Sequence, residues 1–461
     1  MAEIHVVSGG TVLADWSASC VWQDGAVAWQ DGRVLQVGNR AELDRAFPDA
    51  QRHHAHGGWI APGLVNAHHH LYSSLAAGLD PGMPIHGFGQ RLDRLWWRLD
   101  RAHDEESIRH SVRLAALRCV MSGCTTLVDH HASPARVEGV LDVVAEELDQ
   151  AGLKGVLCYE SSNRNGDDEA LRGLKESVRF REANERNPHF RGLIGLHAAF
   201  TLRDETLVRA REWVEEGDIH IHVSEDALDE TECRSRDGLS PVRRLEAHGL
   251  LGPRSFIAHA VHVDARDMEL LARRGALLLH NPESNANNQV GRLDLRSARS
   301  LGVAVALGTD GMGPCMLGAL RSAFLLHRAQ LGEDDAGWRE CGGLLDGARP
   351  HLARLFGEPR LGSLAENAPA DLVVLDAQGL PDVSKDSLLG QLVFGATPLR
   401  VRHTVSRGRF LMENFRPCLQ DAERIARESL GVRHALWSRF RAMEAGTPYL
   451  GPRQKGQQED S

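Results

Sequence analysis

The stretch Trp59-Ile60-Ala61-Pro62-Gly63-Leu64-Val65-Asn66-Ala67-His68-His69-His70 decides how the chain is read. It is a short apolar strand that runs into histidines. Alternate residues of a strand share a face, so His68 and His70 point the same way, about 6–7 Å apart along the backbone, and His69 points away. Two imidazoles so placed can converge on one ion, and their nitrogens suit zinc, iron, nickel or copper. Three histidines in a polar loop are the plain alternative, and the rest of the chain weighs against it.

From residue 60 onward, short apolar runs alternate with helical patterns. The runs at 125–130, 154–159, 193–197, 219–223, 255–259, 276–280 and 304–310 join 60–67 to make eight strands, with amphipathic stretches such as 106–121, 137–153, 168–184 and 207–216 between them. Eight strand–helix units over roughly 250 residues are what a (β/α)8 barrel requires. The expected fold is therefore α/β, a TIM-like barrel over residues 59–360. Polar groups capable of chemistry fall at the C-terminal ends of these strands: His68, His70, Asp129, His130, His197, His222, His259, His280 and Asp310. That end carries the active site in barrel enzymes.

The chain ends have another texture. Residues 3–58 alternate apolar and polar with Asp-Gly turns, and 361–364, 370–375 and 401–411 return to the same pattern. Both ends are expected to build one small β-sandwich, from 1–58 and 361–418. A C-terminal helix and a disordered tail are expected over 419–461. His53, His54 and His56 read as surface loop residues.

Composition narrows the function. The chain has 461 residues, 42% hydrophobic and 25% charged, with a formal net charge of -10. An acidic balance opposes nucleic-acid binding, which needs Lys and Arg to neutralise phosphates. No apolar run approaches the roughly 18 residues of a membrane helix. The start of the chain lacks the basic flank and apolar core of a signal peptide. The 8 cysteines form no CxxC pair, which argues against a zinc ribbon and for reduced thiols in the cytoplasm.

Four ligands from three separate strands are expected: His68 and His70 from the first, His222 and Asp310. Three imidazoles and a carboxylate suit one divalent ion, zinc first and iron second, with room for a water. Such an ion brings the pKa of its water towards neutrality. Glu225, three residues past His222, can reach a substrate nitrogen as general acid/base. His259 can steady the water or a developing negative oxygen, and Asp310 can take the water's proton.

The blocks Pro62-Gly63-Leu64-Val65-Asn66-Ala67-His68-His69-His70, His222-Val223-Ser224-Glu225, Ala258-His259-Ala260, His280-Asn281-Pro282-Glu283-Ser284-Asn285 and Gly308-Thr309-Asp310-Gly311 resemble the amidohydrolase superfamily, in its cytosine/guanine deaminase and triazine chlorohydrolase branch. Leu95-Trp96-Trp97-Arg98-Leu99-Asp100, the block from Ser122 to Pro134 and Asn281-Pro282-Glu283-Ser284-Asn285 are most similar to the SsnA-type aminohydrolases. The resemblance implies a barrel with a composite sandwich, one zinc or iron on the residues named above, and Glu225 and His259 in the roles named above. A homodimer is implied by it alone. Binuclear members carry a carboxylated lysine at the end of the fourth strand; here that strand reads Gly192-Leu193-Ile194-Gly195-Leu196-His197, without a lysine, so one metal is expected.

For the substrate, His197, Gln90, His280 and Asn285 are the expected contacts, with Ser284, Asn287 and Asn288 nearby. Trp96 and Trp97 are either core or an aromatic wall for a flat ring, and Pro81, Gly82, Met83, Pro84 and Gly87 mark an irregular lid. The expected activity is metal-dependent hydrolysis of a carbon–nitrogen bond, most readily deamination of a cyclic amidine of purine, pterin or pyrimidine type. Two alternatives stay open. One is a ring-opening amidohydrolase or triazine-type chlorohydrolase with the same machinery, and the other is a metal-binding protein without turnover. The partner is a small heterocycle, with neither nucleic acid nor membrane.

Overall fold

The computed structural model describes residues 3–333, 335–395 and 400–444. The expected disordered tail falls outside them beyond 444.

Eight parallel strands form the centre: β1 (Leu64–His69), β2 (Cys124–His131), β3 (Lys154–Tyr159), β4 (Ile194–Ala198), β5 (Ile219–Val223), β6 (Phe256–His259), β7 (Leu277–His280) and β8 (Ala304–Leu307). They pair in sequence, and short seams close the ring. His69 bridges Asp310 between β1 and β8, and Ser161 bridges Leu196 between β3 and β4. The fourth strand is interrupted at Leu193: its first part, Phe190–Gly192, pairs with β3 and its second, β4, with β5. This is the TIM-like barrel expected from the apolar runs. Alternation sorts the side chains. Val156, Cys158, Phe256, Ala258, Leu277, Leu279 and Ala306 pack together in one core. Leu157, Leu196, Ile221, Ile257, Leu278 and Leu307 belong to another, shared with the surrounding helices.

The decisive stretch is two strands, not one. Trp59–Pro62 pairs with Leu372–Asp376 and with His5–Leu13, and β1 begins after Gly63. Gly63 is needed at this break, because a Cβ there would lie 2.2 Å from Thr125 Oγ1. Both chain ends share one nine-stranded sheet. His5–Leu13 forks it, with His5–Ser8 beside Gln51–His54 and Thr11–Val12 beside Trp59–Ile60. The sheet closes over Val7, Val27, Trp29, Ile60, Leu372 and Val405. His53 corrects the loop reading: it lies in the strand Gln51–His54, is buried, and holds Glu413 Oε1 at 3.1 Å and His5 at 3.3 Å.

A buried ion pair ties barrel to sheet. Lys154, at the start of β3, meets Asp371, whose other oxygen accepts the Arg407 backbone N–H at 2.8 Å; Lys154 and Asp371 are 4% and 5% exposed. Lys154→Ala strands the carboxylate without its cation. The expected loss is about 3–5 kcal/mol, read as a lower urea midpoint at unchanged slope.

Between β1 and β2 the chain covers the mouth of the barrel with short helical pieces, Gly87–Arg91, a π-helical turn Leu92–Trp96, and Trp97–Ala102. The C-terminal helix Ala422–Ala442 backs this cover: Arg98 donates to Phe440 O at 3.1 Å, Trp437 to Leu75 O at 2.9 Å and Arg439 to Ala102 O at 2.8 Å.

Candidate metal centre and active site

The structure brings His68, His70, His222, His259, Glu225 and Asp310 together at the C-terminal end of the barrel. Ligand atoms of His68, His222, His259 and Asp310 all lie within 4.8 Å of one another. His70 belongs with them, its Nε2 being 3.0 Å from Asp310 Oδ1 and 3.2 Å from His222 Nε2.

Each imidazole of the expected ligand set is aimed by its other nitrogen. His70 Nδ1 donates to His130 O at 2.6 Å and His222 Nδ1 to His197 O at 2.7 Å; His68 Nδ1 is bonded to His220 Nε2 at 2.8 Å. Fixing the tautomer through the far nitrogen is how metal-bound histidines are held. The Nε2 atoms then converge on the Asp310 carboxylate. His68 Nε2 is buried and has no hydrogen-bond partner.

The electrostatics agree. Burial pushes His68 and His222 well below the ordinary imidazole range, so both are neutral with a lone pair to give. Burial would lower His70 too, but its bond to Asp310 and the nearby carboxylates outweigh this and raise it to about 10. Burial would raise Asp310, but His68 and His70 hold its carboxyl well below the usual range. The centre is built to hold positive charge, and three imidazoles with a carboxylate fit a divalent cation.

Backbone shape helps to place these groups. Alternation would send His259 outward with Ile257. Instead its backbone is left-handed, φ 71°, and its ring lies 5.7 Å from that of His68 and 5.4 Å from that of His222. Ser224 and Asp310 are left-handed as well, at φ 49° and 53°. Each such residue costs about 1–3 kcal/mol, which the surrounding packing must sustain. Gly308 lets β8 pass β1 closely: a Cβ there would lie 2.7 Å from that of His68.

One short helix, Pro282–Asn288, grips all three acid/base candidates. Ser284 donates to Asp310 Oδ2, Asn285 Oδ1 is 2.8 Å from His259 Nδ1, and Asn288 donates to Glu225 Oε1 at 3.0 Å. Glu225 Oε2 lies 3.5 Å from His259 Nε2. Burial raises the Glu225 carboxyl above its usual value, against the pull of His259 and Asn288. Asn288→Ala leaves Glu225 free to swing. The expected result is a fall in kcat of about 10- to 100-fold with KM little changed, measured by steady-state kinetics.

Three of the expected substrate contacts are corrected. Asn285 is spent on His259 and does not line the cavity beside Glu225. His280 shares the outward face of β7 with Leu278, and its ring packs 5.7 Å from His327 in the helix layer. Gln90 stays outside the cavity and accepts the His86 backbone N–H at 2.9 Å. His197 does line it, with Nδ1 held 2.7 Å from Thr201 Oγ1. Trp96 and Trp97 line the cavity and are core at the same time: Trp97 is 2% exposed in a buried apolar cluster, and Trp96 packs against it.

Several site residues went unread in the sequence. Glu160 follows directly on β3 and lines the cavity, so the strand-end rule that found the histidines reaches it too. His220 needed only the alternation through His222. Asp100 in the cover and Tyr72 in the 3-10 turn Leu71–Ala76 also line the cavity, and no period marks either out.

Comparison with known proteins places the chain. Residues 59–411 match the Amidohydrolase family. The 5'-deoxyadenosine deaminase of Methanopyrus kandleri is 28% identical over 408 residues, 87% of this chain and 92% of its own length. The 5-methylthioadenosine/S-adenosylhomocysteine deaminase of Symbiobacterium thermophilum is 30% identical over 425 residues, 89% and 94% of the two chains. Among solved structures, an adenosine deaminase from Xanthomonas campestris with bound zinc superposes with a TM-score of 0.81 at 22% identity, over 95% of this chain and 99% of that one. An atrazine chlorohydrolase from Arthrobacter aurescens, with zinc and atraton, gives 0.79 at 23% over 93% and 100%. This chain belongs to the amidohydrolase family and is a hydrolase acting on carbon–nitrogen bonds.

Proposed function

We propose that the protein deaminates a small heterocyclic amidine hydrolytically, with one divalent cation, zinc, held by His68, His70, His222 and Asp310. The observation that carries this reading is Glu225, a buried carboxyl held by Asn288 and His259 at the edge of the cation pocket. A pocket that only stored a metal would have no use for it.

A cation held by these residues makes hydroxide available from water at neutral pH. Glu225, its carboxyl raised by burial, gives a proton to the ring nitrogen as water adds to the carbon bearing the amino group. Asp310 takes one of the water's protons and passes it to the amine; as the carbon–nitrogen bond breaks and ammonia leaves, the proton remaining on the added oxygen returns to Glu225 and the carbonyl forms. His259, clamped by Asn285, stands by the oxygen where charge develops. Trp96 and Trp97 offer faces for a flat ring. All eight cysteines are free thiols, in keeping with a cytoplasmic enzyme. Among the described residues, no helix is long and apolar enough to cross a membrane.

The test is ammonia release by metal-replete protein from purines, pterins, pyrimidines, 5'-deoxyadenosine and S-adenosylhomocysteine. The expected outcome is one ammonia per product formed from at least one of them. Chloride release from a chlorotriazine without ammonia from any amine transfers the machinery to dechlorination. Bound metal with no hydrolysis at all overturns the reading.

A further inference from the structure

Alternation along β5 would send Glu225 outward with Val223. Ser224 prevents this: it is left-handed, at φ 49°, and the turn it makes brings Glu225 into the cavity. A residue with a Cβ keeps that conformation only where its surroundings enforce it. Ser224 is fully buried and held at three points. Its backbone N–H donates to Asp229 Oδ2 at 2.7 Å, its hydroxyl donates to Glu230 Oε1 at 2.7 Å, and its carbonyl accepts the His262 backbone N–H at 2.9 Å. Asp229 stands in the first turn of the helix Ala227–Asp237, is 2% exposed and borders the cavity. Its other oxygen accepts the Phe200 backbone N–H at 3.2 Å, in the turn that follows β4, and the Cys233 thiol at 3.6 Å.

Burial raises the Asp229 carboxyl to about 7, and the bonds that pull against this come from two backbone N–H groups and a thiol. A buried carboxylate held in this way is costly, and its bonds to N–H groups are the strong, charge-assisted kind. We infer that Asp229 is a positioning residue for the acid: by drawing the N–H groups of Ser224 and Phe200 onto one carboxylate, it keeps Ser224 left-handed and so keeps Glu225 beside Asn288 and His259. This rests on the deaminase reading and adds to it a residue that acts through the backbone. It also ties the turn that aims Glu225 to Phe200, which lines the same cavity.

The test compares metal-replete Asp229→Asn with the wild type at about pH 8.5, where the wild-type carboxyl is ionised. The amide keeps the size but turns a donor towards one of the two N–H groups. In crystals of the variant, Ser224 is expected to leave the left-handed region and Glu225 to leave Asn288, which it meets at 3.0 Å in the wild type. For a substrate found by ammonia release, kcat is expected to fall about 10- to 100-fold, with KM and metal content little changed. In the Glu225→Gln background the same substitution is expected to bring no further loss, because the group it positions is already gone. Adding Ser224→Gly to Asp229→Asn is expected to recover at least about threefold in kcat, because glycine takes this backbone shape without strain. Glu225 unmoved in the crystals, kcat unchanged, an equal loss in the Glu225→Gln background, or no recovery with Ser224→Gly each overturn the inference. Should Asp229→Asn fail to fold, Asp229→Ala carries the same tests, since water from the cavity can meet the two N–H groups. If no amine releases ammonia, the deaminase reading falls, and the place of Glu225 in the crystals still decides the inference.

Discussion

Glu225→Gln is expected to lower kcat by about 10²- to 10⁴-fold while the protein keeps its full metal content. The amide matches the carboxyl in size and can still bond Asn288, so the wall of the cavity stays filled. It cannot deliver a proton to a ring nitrogen. Glu225 touches none of the expected ligands' converging Nε2 atoms, its contacts being His259 and Asn288. Metal content and turnover should therefore part company. Steady-state kinetics beside elemental analysis of the same preparation checks this. Unchanged kcat would remove Glu225 from the chemistry.

The second large effect is loss of the cation itself. His222→Ala removes the nitrogen that lies 3.2 Å from His70 Nε2 and opens the ring of ligands. Turnover is expected to drop to background and bound metal to near zero. Stability should follow. A ligand that binds only the folded state contributes about 4 kcal/mol at a thousand times its Kd. Stripping the wild-type protein with a chelator should thus lower Tm, and adding back zinc should restore it. In His222→Ala neither step should move Tm. A variant that still gains stability from zinc would point to ligands other than those named.

Much of this was legible in the sequence, for a physical reason. Parallel strands buried on both faces read as unbroken apolar runs, and each barrel strand stood out as one. The strand-end rule then gathered His68, His70, His197, His222, His259 and Asp310 without any contact being known. It failed where alternation or backbone twist decides direction at a strand's last residue. His280 follows the outward face of Leu278, whereas His259 escapes the face of Ile257 only through its left-handed backbone. It was also blind to what a polar side chain is spent on. Ser284, Asn285 and Asn288 look like a substrate-binding surface, yet they face Asp310, His259 and Glu225 from one helical turn. Asp100 comes from the cover and Tyr72 from the short 3-10 turn Leu71–Ala76 just after β1, and neither irregular segment carries a usable period.

The central claim is that side chains from separate strands hold one cation. Diffraction recorded at the zinc absorption edge, from crystals of metal-replete protein, tests it most directly. One anomalous peak is predicted, about 2.0–2.2 Å from Nε2 of His68, His70 and His222 and from a carboxylate oxygen of Asp310. A peak on other residues, or none in crystals of protein that hydrolyses its substrate, would contradict it.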